Sequence, residues 1–141
     1  MTVSAVSRPT GVPGYSETFP SVPSSALSAR RLVRIALTNW RLEQSIDDAE
    51  LIVSELVSNA VRHTSSRVIR VTAAWPMDTR VRIGVIDRSR TIPHLQYTDR
   101  DYTRPHGRGL LMIDALTYRW GTDLYNWGKM VWGDLLVEAR P

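Results

Sequence analysis

Glu55-Leu-Val-Ser-Asn59-Ala-Val-Arg62-His63 is the stretch on which the reading of this chain turns. It closes a segment that opens at Ser45, where Ser45 followed three residues later by Asp48 makes a capping-box pattern. Asp47, Asp48 and Glu50 add negative charge to the first turn, where the helix dipole favours it. The spacing predicts a helix from Ser45 to about His63. Projected at about 100° per residue, Ile46, Ala49, Val53, Leu56, Val57 and Ala60 gather on one side. Asp48, Leu51, Glu55, Asn59 and Arg62 gather on the other. An ordinary solvated face has the same look. Two details set this one apart. Asn59 is a mediocre helix former for an interior position, and Glu55, Asn59 and Arg62 follow one another at spacings of four and three, so that an acid, an amide and a cation share one volume. Such a trio suits a hydrated magnesium ion and phosphates, because magnesium takes few protein oxygens and keeps several waters.

Beyond this helix, two stretches alternate with a period of two. Ile69, Val71, Ala73 and Trp75 share one side of the first, and Val81, Ile83 and Val85 share one side of the second, with Arg80 and Arg82 opposite. Pro76 to Thr79 supplies a turn, so the two read as an antiparallel pair. Asp87 continues the parity of Val81, Ile83 and Val85 and is expected to point inward, where a carboxylate needs a partner. A strand-end aspartate that caps the following loop fits the same position. From Arg88 to His106 the chain carries charges, tyrosines and prolines without sustained periodicity, a long stretch for a structureless loop in a small domain. Gly107-Arg108-Gly109 then precedes Leu110, Leu111, Met112, Ile113, Ala115 and Leu116, a helix apolar nearly all round and so expected to be buried. Glycines let backbone approach an anion, and a helix amino terminus offers unpaired amides; a plain loop-to-helix turn uses the same residues. Two final strands, about Trp120 to Tyr125 and Lys129 to Val137, are joined by a turn at Asn126 to Gly128.

Toward the amino terminus, Gly11, Pro13 and Gly14 among small polar residues predict a flexible tail over 1–17, with the domain at 18–141. A short extended piece through Phe19 leads to Ser24 and Ser25, which can cap a helix with apolar Leu27, Leu32, Ile35 and Ala36 that ends near Trp40. There is no internal repeat.

With 141 residues, 43% of them hydrophobic, the chain supports one domain with a real core. It lacks both a membrane-length apolar run and a secretory leader pattern, so a soluble, cytoplasmic protein without a membrane partner is expected. The absence of cysteine excludes disulfides, thiolate metal sites and a cysteine nucleophile. All but Lys129 of the 18 basic residues are arginine, and the formal charge is +4. The arginines form no run, so the charge alone is a weak nucleic-acid footprint.

Taken in order, the Glu55–His63 helix, Val85-Ile-Asp87, Gly107-Arg-Gly109-Leu110 and Gly128-Lys129 in a terminal strand resemble the ATPase domain shared by gyrase, Hsp90, histidine kinases and MutL. The likeness is in particular to the anti-sigma-factor serine/threonine kinase branch, and it covers roughly Thr18 to the end. The resemblance implies an α+β fold of the Bergerat type, a two-layer α/β sandwich whose mixed, mostly antiparallel sheet carries helices on one face. It implies ATP and Mg2+ as ligands, with Asn59 as the magnesium ligand and Glu55 as the general base that activates a serine hydroxyl. Asp87 would accept a hydrogen bond from the adenine amino group. Gly107 and Gly109, in the motif that Leu110 completes, would bring backbone amides to the phosphates, with Arg62, His63 and Arg108 as phosphate neighbours. The stretch from Arg88 to His106 would be a lid over the nucleotide. The implied activity is phosphorylation of an anti-sigma-factor antagonist, and the implied partners are that antagonist and a sigma factor, with a homodimer also within the family's range. Two positions depart from the pattern: Ser89 stands where the second block has glycine, and Met130 where a threonine is common after Gly-Lys.

Two other functions fit parts of the sequence. Ser89 and Met130 suit a non-catalytic, nucleotide-sensing or partner-binding module, and the isoelectric point near 10.0 is the only feature that suits a nucleic-acid-binding domain.

Overall fold

Alternating Val, Ile and Ala side chains set the plane of the molecule. The computed structural model describes residues 4–7, 13–93 and 108–138. In it β3 (Val68–Met77) pairs antiparallel with β4 (Arg80–Asp87), with Val71 opposite Val85 and Ala73 opposite Ile83. These four, with Ile69 and Val81, are buried, because apolar residues at every second position, most of them β-branched, fit one covered face of a pleated sheet. The strands β1 (Ser4–Ser7), β2 (Pro13–Pro20), β5 (Arg119–Tyr125) and β6 (Gly128–Leu136) extend the pair to six strands in the order β1-β2-β3-β4-β6-β5. All described pairings are antiparallel, so the expected mixed, mostly antiparallel sheet is antiparallel throughout the described residues.

Helices α1 (Ser25–Asn39), α2 (Ile46–His63) and α3 (Arg108–Leu116) give the fold its second layer. The buried stripe of α2 is Ile46, Ala49, Ile52, Val53, Leu56, Val57 and Ala60, the expected face with Ile52 added. Its amino terminus differs from expectation in detail. A 3-10 turn over Glu43–Ser45 leads into it, and Ser45 makes no side-chain capping bond, although Asp47 and Asp48 do occupy the first turn. In α1 the stripe is Ala29, Leu32, Val33, Ala36 and Leu37; Leu27 and Ile35 face outward, at 50% and 41% exposure. The i, i+3, i+4, i+7 spacing of that set outweighs the greater apolarity of Leu27 and Ile35. Helix α3 buries Leu110 and Ile113 but exposes Met112, so it is not enclosed on all sides. Helix α1 ends in a Schellman-type turn: Leu42 N–H donates to Leu37 C=O at 2.8 Å and Arg41 N–H to Thr38 C=O at 3.1 Å, with Arg41 at φ 60°.

The expectation of a tail over 1–17 gives way to strand. Ser4–Ser7 and Pro13–Pro20 are both in the sheet, and Gly14 to Pro20 pair with Ala74 to Val68. Tyr15, Glu17 and Phe19 turn inward in succession. The Tyr15 ring meets Trp40 edge-on at 5.5 Å, and its hydroxyl accepts a 2.7 Å hydrogen bond from Asn39. Glycine and proline next to this alternation hide it, because both residues more often mark turns. Among the described residues no helix is long and apolar enough to cross a membrane.

Candidate nucleotide site

Connection lengths place the carboxyl end of α2, which carries Arg62 and His63, at one end of the sheet. Helix α2 stops at His63 and β3 begins at Val68; Arg70 of β3 pairs with Ile86 of β4, and Asp87 pairs with Lys129 at the start of β6. The carboxyl end of α2, the end of β4 and the start of β6 therefore share an edge of the molecule. At its other end, Tyr118 N–H donates to Asp134 C=O at 2.8 Å and ties the chain just after α3 to the far end of β6. Ile113 and Thr117 lie over Gly133, where there is no side chain to hold them off. Within this frame Asn59 is buried on α2 at 7% exposure, Glu55 is half-buried one turn earlier, and Arg62 and His63 are exposed near the helix end. Arg108 and Gly109 form the first residues of α3, with Leu110 buried behind them. Gly107 and the expected lid residues 94–106 lie outside the described residues.

Asp87 turns inward as its parity predicts and is 2% exposed. Its Oδ1 accepts hydrogen bonds from the Ser89 N–H at 2.7 Å and from Lys129 Nζ at 3.0 Å, while its buried Oδ2 has no hydrogen-bond partner among the described residues. Lys129 is 1% exposed and donates a second hydrogen bond to the Ser89 carbonyl at 3.1 Å. Both readings of Asp87 thus hold at once: it caps the following loop through Oδ1 and retains a bare acceptor in Oδ2. An acceptor left unmatched in a buried place costs about 1–3 kcal/mol, so a ligand N–H directed at Oδ2 would recover that free energy. Adenine's exocyclic amino group is such a donor, and the residues present fit it.

Lys129 belongs to the Gly128-Lys129 block of the sequence resemblance, but sequence reasoning gave it no role in the site. Strand parity groups it with Val131, Gly133 and Leu135 on the helix-covered face, which makes it an ionisable residue on an apolar side, directly opposite Asp87. Met130, which stands where a threonine is common, is on the opposite face, its side chain packed against Gly84 and near Thr72. The departure at Met130 therefore falls on the sheet face away from Asp87.

That opposite face carries its own polar network. Arg82 grips Asp134 with two hydrogen bonds, of 2.7 and 3.0 Å, Arg119 adds a third at 3.1 Å, and the Arg82 guanidinium stacks 3.8 Å over Trp132. Burial works against the Asp134 charge and is the largest single influence, but the hydrogen bonds and charges of Arg82 and Arg119 together outweigh it and hold the carboxyl below its usual range. The hydrogen bond to Asp134 in turn raises Arg82 above the usual arginine value, against a smaller opposing effect of burial. A groove of about 380 Å³ runs beside this network, lined by Thr72, Arg80, Arg119 and Tyr125 among others.

The sequence pattern of residues 19–132 matches the family model of the histidine kinase-like ATPase domain, and the chain belongs to that family. Among solved structures it is similar to the RsbU and RsbW domains of Rv1364c from Mycobacterium tuberculosis, at 27% identity and a TM-score of 0.66. That match covers 92% of this chain and 33% of the other, so this chain spans about a third of the solved chain's length. A search of curated proteins finds no match.

Proposed function

We propose that this protein binds ATP with Mg2+ and acts as an anti-sigma-factor kinase, transferring a phosphoryl group to a serine or threonine of an anti-sigma-factor antagonist and sequestering a sigma factor. The observation that carries the reading is Asp87, a buried carboxylate whose Oδ2 has no hydrogen-bond partner among the described residues, at the sheet end where α2, the helix of Asn59 and Glu55, finishes. Membership of the histidine kinase-like ATPase family and the likeness to a structure of RsbU and RsbW domains support it.

In this reading Asp87 Oδ2 accepts a hydrogen bond from the adenine amino group, and Gly107 and Gly109 with the start of α3 hold the phosphates, with Arg62, His63, Arg108 and Leu110 around them. Among the described residues no group of three or more His, Asp or Glu is placed to hold a metal by itself; Asn59 would supply one amide oxygen, and the phosphates and water the remainder. Mg2+ when bound neutralises phosphate charge. Glu55 accepts the proton of the attacking hydroxyl, the bond from its oxygen to the γ-phosphorus forms as the β,γ-bridging bond breaks, and ADP leaves.

Purified protein, labelled ATP, Mg2+ and a candidate antagonist test the kinase reading. Transfer of label to a hydroxyl of the antagonist supports it, and tight ATP binding with no transfer to any such partner overturns it. Ser89 at the usual glycine position favours a second reading, a nucleotide-sensing module without transfer, which that last outcome would support.

A further inference from the structure

Lys129 is the only lysine of the chain, and its ammonium is buried. A buried ammonium persists only where its donors find good acceptors, and here Asp87 Oδ1 and the Ser89 carbonyl lie at 3.0 and 3.1 Å. The Ser89 N–H returns to the same Oδ1 at 2.7 Å, which closes a small ring of hydrogen bonds through Lys129, Asp87 and Ser89. The ring saturates one carboxylate oxygen and leaves the other, Oδ2, buried and without a partner among the described residues. Without Lys129 the two oxygens would differ only by the Ser89 N–H, and the carboxylate could turn to share its donors.

We propose that Lys129 is a positioning residue for base recognition: it fixes Asp87 so that Oδ2 alone faces the nucleotide, and so makes the site select a purine with an amino group at carbon 6. The inference rests on the ATP-binding reading above. A purine with a carbonyl at carbon 6 would set an oxygen against a fixed carboxylate oxygen and be rejected, and one with hydrogen there would leave Oδ2 unmatched. The same ring engages the Ser89 carbonyl, so Lys129 also secures the loop at the position where the family pattern has glycine.

Calorimetric titration of the full chain with Mg2+, against ATP and against purine riboside triphosphate, which lacks only the 6-amino group, tests this in wild type, Lys129→Gln and Lys129→Met. Wild type is expected to prefer ATP by about tenfold or more, the ratio that one matched buried donor supports. Both variants are expected to lose most of that preference through weaker ATP binding, with affinity for the amino-free analogue within about twofold of wild type. A merely structural lysine would lower both affinities in parallel; an unchanged ratio overturns the proposal, as does loss of cooperative unfolding in both variants. Lys129→Gln retains a neutral donor, so it decides the question if Lys129→Met does not fold. Wild type that binds neither ligand overturns the ATP-binding reading, whereas wild type that prefers ATP beside variants with the same preference overturns only the role of Lys129.

Discussion

The carbonyl oxygen of Asp87 fills the space that a Cβ at position 128 would need, with the Arg88 Cα close beside it. Gly128 thereby lets the end of β4 close over the start of β6, which sets Lys129 level with Asp87. Gly128→Ala must push backbone apart rather than bend a side chain. It should cost about 2 kcal/mol or more in stability and weaken ATP binding; a thermal melt and a titration unchanged from wild type would contradict this.

Asp87 and Glu55 should separate binding from transfer. Asp87→Asn is expected to weaken ATP binding by about 10-fold to 100-fold and, because Lys129 loses its counter-charge, to lower the melting temperature as well. Glu55→Ala should leave ATP binding within about twofold and slow phosphoryl transfer by about 10²–10⁴. Equal loss of binding in both variants would contradict the assigned roles.

Met130 makes a sharp control, because it lies one residue from Lys129 but on the other face of the sheet. Met130→Thr restores the residue common in the family and should change ATP affinity by less than about threefold, worth well under 1 kcal/mol. A large gain in affinity, measured by titration, would place residue 130 beside the nucleotide after all.

The Asp134 network predicts an acid-side loss of stability. Its carboxyl is held below the usual value of 3.8, so the stabilisation is present above that pH and is lost as pH falls through the lower folded-state value. Asp134→Asn should cost about 1–2 kcal/mol near neutral pH, a modest figure because Arg119 is half-exposed and its contribution is screened. Urea unfolding at pH 7 and below pH 4 should show the gap between variant and wild type narrowing; a constant gap would contradict the linkage.

Arg41 holds a left-handed conformation at φ 60°, the place where a helix-ending turn favours glycine. Arg41→Gly should raise stability by up to about 1 kcal/mol, offset in part by the greater freedom of glycine in the unfolded chain. Denaturant unfolding with a lower midpoint than wild type would count against it.

Much of the fold was open to a sequence reading. The inward sets Ile69-Val71-Ala73 and Val81-Ile83-Val85 and the α2 stripe repeat with the period of the structure they form, and the turn expected at Asn126 to Gly128 is the two-residue turn Asn126-Trp127, with Gly128 already in β6. Strand β2 was harder to see, because Pro13, Gly14 and Pro20 bracket the alternation of Tyr15, Glu17 and Phe19 with turn-forming residues. At the site, the inward aim of Asp87 followed from parity. Its partner did not, since the contact between Asp87 and Lys129 spans 42 residues and depends on β4 pairing with β6 rather than with its sequence neighbour β5. Local spacing carries no record of that choice.

Calorimetric titration of the protein with ATP, in the presence and absence of Mg2+, is the most direct measure of the account. It predicts one ATP bound per chain, more tightly with Mg2+, and markedly weaker binding in Asp87→Asn. Absence of binding by both ATP and ADP at about millimolar concentration, where even a free energy near −4 kcal/mol would register, would contradict it.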